Sequence, residues 1–275
     1  LTSETEAESY NWLGSAPRMQ QWLDERQPTG ASSNNFTVRN LDWESSFEVD
    51  RNTYLDDKLG QVKPLIQGLA HEAARHPREL SFSLLTKGFT TKAWDGINFF
   101  GDHTAGGKKY VNNNLGGLAL NSVNYGTAIA KLRAAQDDRG RPLDPDLSTQ
   151  TTVLVVGPLL EEVARQLLSS EFSIGPGVAS GATGAGFLPA NVWKGSASLV
   201  VSAYITDHSW FVLYKGRAGA RPLGFQWRQK PQLTQLTDPN STETVFKRKK
   251  FLYGADSRYN TFGAFFPFAI GSSVA

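Results

Sequence analysis

Apolar residues recur with helical spacing in the first third of the chain. Leu55, Leu59, Val62, Ile66, Leu69 and Ala73 follow one another at steps of four and three, which lines one face of a helix. The same phase continues across Pro77 to Leu80 and Leu84, and Lys87 followed by Gly88 suits a helix end. Thr53 with Asp56 has the capping-box form at the start. A continuous helix over residues 55–87 would span on the order of 50 Å at ~1.5 Å per residue. Pro64 and Pro77 predict a bend, or two helices in tandem. The polar face would carry Lys58, Lys63, Glu72, Arg75 and Arg78.

Period-two alternation brackets this helix. Phe36, Val38 and Asn40 alternate with Thr37 and Arg39. Trp43, Ser45, Phe47 and Val49 then share a face opposite Glu44, Ser46, Glu48 and Asp50. Two strands alone are unstable, so they must lie against another element. Residues 1–9 are polar and acidic and read as an arm. Tyr10, Trp12, Leu13, Met19, Trp22 and Leu23 crowd a segment broken by Gly14 and Pro17, either a small docked helix or an arm on a neighbouring subunit. Residues 94–114 read as a long irregular loop, and 118–136 as a helix with Leu120, Val123, Ile129 and Leu132 inside. Residues 151–156 have the continuous apolar run of a buried strand. Gly157-Pro158 punctuates it before a helix over 159–168, with Glu161 and Glu162 early and Arg165 late. Residues 173–198 read as a Gly/Ala/Ser-rich loop. Strands follow at 198–205, 209–215, 223–228, 232–236 and 244–253, then an aromatic tail over 259–270.

Composition narrows the class. A chain of 275 residues with 40 % hydrophobic and 20 % charged residues is globular. A net charge of +2 is too small for a dedicated nucleic-acid binder. The absence of cysteine excludes disulfides and thiolate chemistry. No apolar run reaches the ~20 residues that cross a bilayer, so no membrane partner is expected. The chain opens on Leu1 with no signal-peptide pattern, so a processed or trimmed N terminus is expected.

Candidate chemistry is sparse. His71, His76, His103 and His208 lack metal-site spacing. Asp102-His103 beside Asp95 is the one acid–histidine cluster, and a loop this rich in Gly, Asp and Asn reads more simply as turns. Gly181, Gly184 and Gly186 follow no strand and precede no G-K-[ST], so they form no phosphate cradle. G-x-S-x-G is absent. No catalytic, cofactor-binding or metal-ligating set is expected. Lys247-Arg248-Lys249-Lys250 reads as part of a strand, either a solvated edge or a phosphate-facing patch.

Several segments together carry a resemblance. Y-N-W-L-G at 10–14, Q-W-L-D-E-R at 21–26 and W-E-S-S-F-E-V-D-R-N-T-Y-L-D-D at 43–57 are similar to the Mu-like bacteriophage major head subunit family. So are H-P-R-E-L at 76–80, D-G-I-N-F-F at 95–100 and Y-G-A-D-S-R-Y-N at 253–260. Order and spacing make the set specific, and the likeness is thinnest over 173–229. It implies an α+β, HK97-type capsid fold: an N-terminal arm (1–26), an E-loop (27–50), a P-domain with a spine helix (51–115), an A-domain (116–222) and P-domain return strands (223–275). It implies a major capsid protein of a tailed phage, assembling with copies of itself into pentamers and hexamers of an icosahedral head around double-stranded DNA. Portal, scaffold and decoration proteins would be partners, packaged DNA would be touched non-specifically, and the chain would be made in the host cytoplasm and reside in the virion. Some proteins of this fold form Lys–Asn crosslinks. No lysine lies between Gln27 and Asp57, so non-covalent stabilisation is expected, with Trp12, Trp22, Trp43 and Phe47 as interface anchors. The competing readings are a phage-encoded hydrolase or maturation protease, which lacks a nucleophile–base pair, and a nucleic-acid-binding module using 247–250.

Overall fold

The computed structural model describes residues 1–13, 33–57, 60–105, 108–137, 140–172, 190–216, 220–238 and 247–274. Trp22, Lys58, Leu59 and the glycines at 181, 184 and 186 lie outside them, as do most of the expected 173–198 loop and the Trp12 side chain. The chain divides into two compact units. One comprises Leu1–Tyr10, Thr37–Ser81 and Phe225–Phe262; the other comprises Asn11–Phe36, Phe82–Gly224 and Gly263–Ala275.

The first unit is a helix on a three-stranded antiparallel sheet. Strand β3 (Leu41–Asp50) pairs with β10 (Lys250–Gly263), which pairs with β9 (Leu223–Leu236). The alternation read over 43–50 is this strand. Its partner lies about two hundred residues away, with Asp50 opposite Lys250 and Tyr259 opposite Leu41. Every second residue of β10 from Phe251 to Tyr259 is buried. Phe251, Tyr253 and Ala255 join Val49 and Phe47 against Val62, Ile66, Leu69 and Ala73 of helix α2 (Val62–Lys87). The predicted stripe is therefore the helix's core face, at ~1.5–3 kcal/mol per fully buried aliphatic or aromatic side chain.

The helix begins later than its pattern suggested. A short helix α1 (Arg51–Leu55) comes first, and Leu55 is exposed. The expected Thr53–Asp56 capping box is replaced: Asp50 Oδ1 accepts from the N–H groups of Asn52 and Thr53. Gly60, at φ +63°, turns the chain between the helices. The Asp57 carboxylate then accepts from Gln61 N–H (3.0 Å) and Val62 N–H (2.9 Å), which caps α2. The break therefore precedes both prolines. Pro64 sits in the first turn, where N–H groups lack partners anyway. Pro77 is accommodated inside the helix, and Ser81 Oγ donates to its carbonyl at 2.7 Å.

The arm expected at the N terminus is partly a strand. Strand β1 (Ala7–Leu13) pairs with β2 (Ser33–Arg39) as a two-stranded ribbon, so no docked helix occupies 10–13. The two strands expected over 223–236 are one continuous β9, with Pro231 inside it.

The second unit is built on a four-stranded sheet ordered β11-β8-β6-β7. It comprises β6 (Thr152–Val156), β7 (Ser198–Val201), β8 (Trp210–Tyr214) and β11 (Ala269–Ser272). Only β6 and β7 run parallel. All five residues of β8 are buried, as a strand covered on both faces requires. On one face Leu154, Val156, Trp210, Val212 and Tyr214 pack under α3 (Ser122–Arg133) and α4 (Glu161–Ser169). On the other, Val155, Phe211 and Leu213 meet Leu85, Phe99, Phe100 and Phe266. Gly157 is obligatory at the β6–α4 turn, where a Cβ would lie 2.2 Å from the Ile205 carbonyl oxygen. Within α3, Tyr125, Ala128, Ile129 and Leu132 form the buried stripe; Val123, expected inside, is 74 % exposed. The supposed irregular loop contains a hairpin of β4 (Asp102–Ala105) and β5 (Lys108–Asn112). The aromatic tail ends in the core, with Phe266 and Ile270 buried.

Candidate functional site

The most elaborate polar construction lies where the β1–β2 ribbon meets the first unit's sheet. Asn40, just after β2, is 3 % exposed. Its Nδ2 donates to Ser3 Oγ (2.8 Å) and the Thr5 carbonyl (2.9 Å), and its Oδ1 accepts from Gln226 Nε2 at 2.8 Å. Gln226, fully buried on β9, also donates to the Val38 carbonyl and accepts from the Tyr10 hydroxyl at 2.8 Å. Tyr10 stacks on Phe262 at 5.1 Å between centroids. Burial pushes the Tyr10 phenol up, so it remains a donor at neutral pH. Below the network, Glu8 Oε1 accepts from the N–H groups of Glu4 (2.8 Å) and Thr5 (3.1 Å) and from the Ser3 and Thr5 hydroxyls. These donors, the two backbone ones foremost, hold its carboxyl down to about 2. Polar residues from three separated segments thus hold the ribbon's root, an arrangement that specifies one geometry because every member has a partner.

The first residues also cover part of a sheet edge. Ser3 N–H donates to the Trp227 carbonyl at 2.7 Å, and Trp227 N–H donates to the Leu1 carbonyl at 3.0 Å. In an antiparallel ladder, alternate residues turn both backbone groups the same way. Trp227 turns outward, so Pro231, four residues on, does too. The missing proline N–H thus falls on the edge of β9 that no described strand pairs, where it interrupts the template for another strand.

Of the aromatic residues expected as anchors, Trp43 and Phe47 pack within their own unit. Trp43 donates Nε1–H to the Tyr259 carbonyl at 3.1 Å and packs on the His76 ring at 4.4 Å. Phe47 stacks on Tyr253 at 5.2 Å. On alternate positions of the same strands the opposite face is charged. Asp42 pairs with Arg258, and Glu48 with Lys250. Between them Glu44 stands directly opposite Asp256. Like charges at such a position are destabilising, by up to ~1 kcal/mol.

The basic run is not a strand. Lys247 and Arg248 form a helical turn, Lys249 is left-handed at φ +53°, and only Lys250 enters β10. Arg51 N–H donates to the Lys249 carbonyl at 2.8 Å and fixes the turn to the sheet's end.

The acid–histidine cluster is a packing device. His103 is fully buried, with Nδ1 2.6 Å from Asp95 Oδ2 and Nε2 3.2 Å from the Phe99 carbonyl, and it stacks on Phe266 at 3.6 Å. Asn113 fills the same knot, donating to the Phe99 and Phe266 carbonyls. With both ring nitrogens engaged, the imidazole has no face toward a substrate. Among the described residues no group of three or more His, Cys, Asp or Glu is arranged for a metal ion, and no helix is long and apolar enough to cross a membrane.

A family profile described as the Mu-like prophage major head subunit gpT matches residues 1–119, 116–205 and 206–274. The Mu-like prophage FluMu major head subunit of Haemophilus influenzae is 27 % identical over 261 residues, covering 94 % of this chain and 59 % of that protein. The major capsid protein of Escherichia phage Mu is 33 % identical over 125 residues, covering 45 % of this chain and 40 % of that protein. The chain thus spans roughly half the length of the curated relatives it matches. The capsid of bacteriophage JBD30 decorated with minor capsid protein trimers superimposes with a TM-score of 0.61 at 21 % identity, over 75 % of this chain and 88 % of that one. The fold is accordingly that of the HK97-type phage capsid proteins.

Proposed function

This chain belongs to the Mu-like prophage major head subunit family, and from that we propose that it is the shell-forming subunit of a tailed-phage head. It would assemble with copies of itself into pentamers and hexamers around double-stranded DNA and reside in the virion. The observation that carries this reading is the family match along the whole chain, joined to the capsid fold. A structural role suits the chemistry: the Asp95–His103 pair is spent on packing. In this reading the first unit, with α2 as spine helix, is the P-domain, and the second unit's four-stranded sheet is the core of the A-domain. The β1–β2 ribbon with the chain between its strands is the E-loop. We place its boundaries near 7–39 in place of 27–50, on the pairing of β1 with β2. Portal and scaffold proteins, and decoration by a second protein as in JBD30, follow from the same reading, and packaged DNA would be touched non-specifically.

Electron microscopy of the purified chain tests the proposal. Closed shells, or capsomers at lower concentration, are expected. A chain that stays a monodisperse monomer across salt and concentration refutes it.

A further inference from the structure

One surface of the first unit is incomplete in a single copy. The even-numbered face of β3 carries four acidic positions in register with β10: Asp42, Glu44, Glu48 and, opposite Lys250 at the strand's end, Asp50. Asp42 and Glu48 have basic partners on β10, Arg258 and Lys250. Glu44 faces Asp256. Neither makes an ion pair or side-chain hydrogen bond among the described residues, and Glu44 is exposed. A sheet that neutralises the flanking carboxylates has left two at its centre.

Besides Arg228 and Lys230 on β9, exposed positive charge lies at the end of the same sheet. Arg248 and Lys249 are exposed, and the left-handed Lys249 and its bond from Arg51 N–H tie this turn to the sheet's end. They cannot serve Glu44 and Asp256 of their own chain. Lys249 to Asp256 is seven residues of extended strand, ~23 Å at ~3.3 Å per residue, whereas exposed charges are screened beyond ~8 Å at physiological salt. A second copy has no such limit.

We infer that the even-numbered face of the β3–β10 sheet, centred on Glu44 and Asp256, receives the Arg248–Lys249 turn of a second copy of this chain. The inference rests on the shell-subunit reading and adds to it a residue-level contact. The charge pattern selects the occupant: two adjacent carboxylates suit a turn that offers two adjacent cations. It also accounts for a repulsive pair at the centre of an otherwise neutralised face. Exposed ion pairs act mainly through encounter rate and partner selection, so the contact fixes which surfaces meet more than how tightly they hold.

The test is a charge swap read by sedimentation velocity at low and high salt. Association of the wild-type chain is expected at low salt, weakening as salt rises. The pair E44Q/D256N is expected to raise the unfolding temperature of the isolated chain, by removing the repulsion, while weakening association about two- to fivefold per contact. A merely structural role would not move these in opposite directions. R248E/K249E and E44K/D256K should each associate poorly alone and associate together when mixed. Equal association by all variants overturns the inference and leaves the shell reading standing. A wild-type chain that never associates overturns both. If R248E/K249E associates normally but retains less DNA on a column, the turn faces phosphate, and the inference is again overturned.

Discussion

Replacing Asn40 with Ala tests the root of the ribbon. The substitution removes the two Nδ2 hydrogens, shared among Ser3 Oγ, the Thr5 carbonyl and, at 3.3 Å, the Glu6 carbonyl, and one bond accepted from Gln226. At ~1 kcal/mol net for each buried bond the loss is ~3 kcal/mol. The cost stays near that figure because the surroundings keep other partners. Thr5 O retains the Ser3 hydroxyl at 3.1 Å, Gln226 Nε2 retains the Val38 carbonyl, and the Asn40 N–H to Glu6 bond is backbone. At ~2–4 °C per kcal/mol for domains of a couple of hundred residues, the unfolding temperature should fall by about 6–12 °C. Asn40→Asp sharpens the argument. It preserves shape and the acceptor for Gln226, but turns a second oxygen toward Ser3 Oγ and the Thr5 carbonyl. Burial raises the introduced carboxyl's pKa, so this variant should be less stable than Asn40→Ala at pH 7. It should recover part of the loss near pH 4, where the protonated acid donates. Glu8, held down to about 2, remains ionised there and does not confuse the comparison. Differential scanning calorimetry, with hydrogen exchange at the amides of β1 and β2, provides the reading. An Asn40→Ala chain within about 1 °C of wild type, or an Asn40→Asp chain indifferent to pH, refutes the network as the element that holds the ribbon.

Glu8 has a folded pKa depressed from 4.5 to about 2, so what its carboxylate contributes is present above pH 4.5 and disappears as pH falls toward 2. Protection of the Glu4 and Thr5 amides should collapse over that window in the wild type, and should already be low and flat in Glu8→Gln. Trp43→Ser and Phe47→Ser should each lower the urea midpoint of the isolated chain, at a cost of ~2–4 kcal/mol, before any assembly is measured. An unchanged midpoint with lost assembly would return both residues to the role of interface anchors. Pro231→Val restores an outward N–H to the β9 edge, and faster concentration-dependent aggregation by light scattering is expected. Unchanged solubility would mean that the edge is guarded by something other than the proline.

Much of the architecture was legible locally. The Val62–Ala73 stripe, the alternation of residues 43–50 and the unbroken apolar runs of β6 and β8 each state what one element buries. Those patterns depend only on the residues' own spacing. The capping box does not form because Asp50, one residue before α1, takes the Thr53 N–H, and the Asp56 N–H donates to the Asn52 carbonyl instead. The basic run has a strand's pattern without being a strand because alternation cannot register a left-handed residue, and Lys249 is one.

Local spacing alone fixes which faces had to be buried and, through the order of the short motifs, the family. Only the tertiary structure decided what meets each face. Pairing β3 with β10 brings Glu44 opposite Asp256 and closes Trp43 over Tyr259. Packing β9 beside the ribbon's root joins Gln226 to Asn40, 186 residues away. Each of those residues is unremarkable among its chain neighbours. Register and long-range packing are collective choices, made by the summed burial of whole faces, and they assign a polar side chain its partner only after the chain has folded.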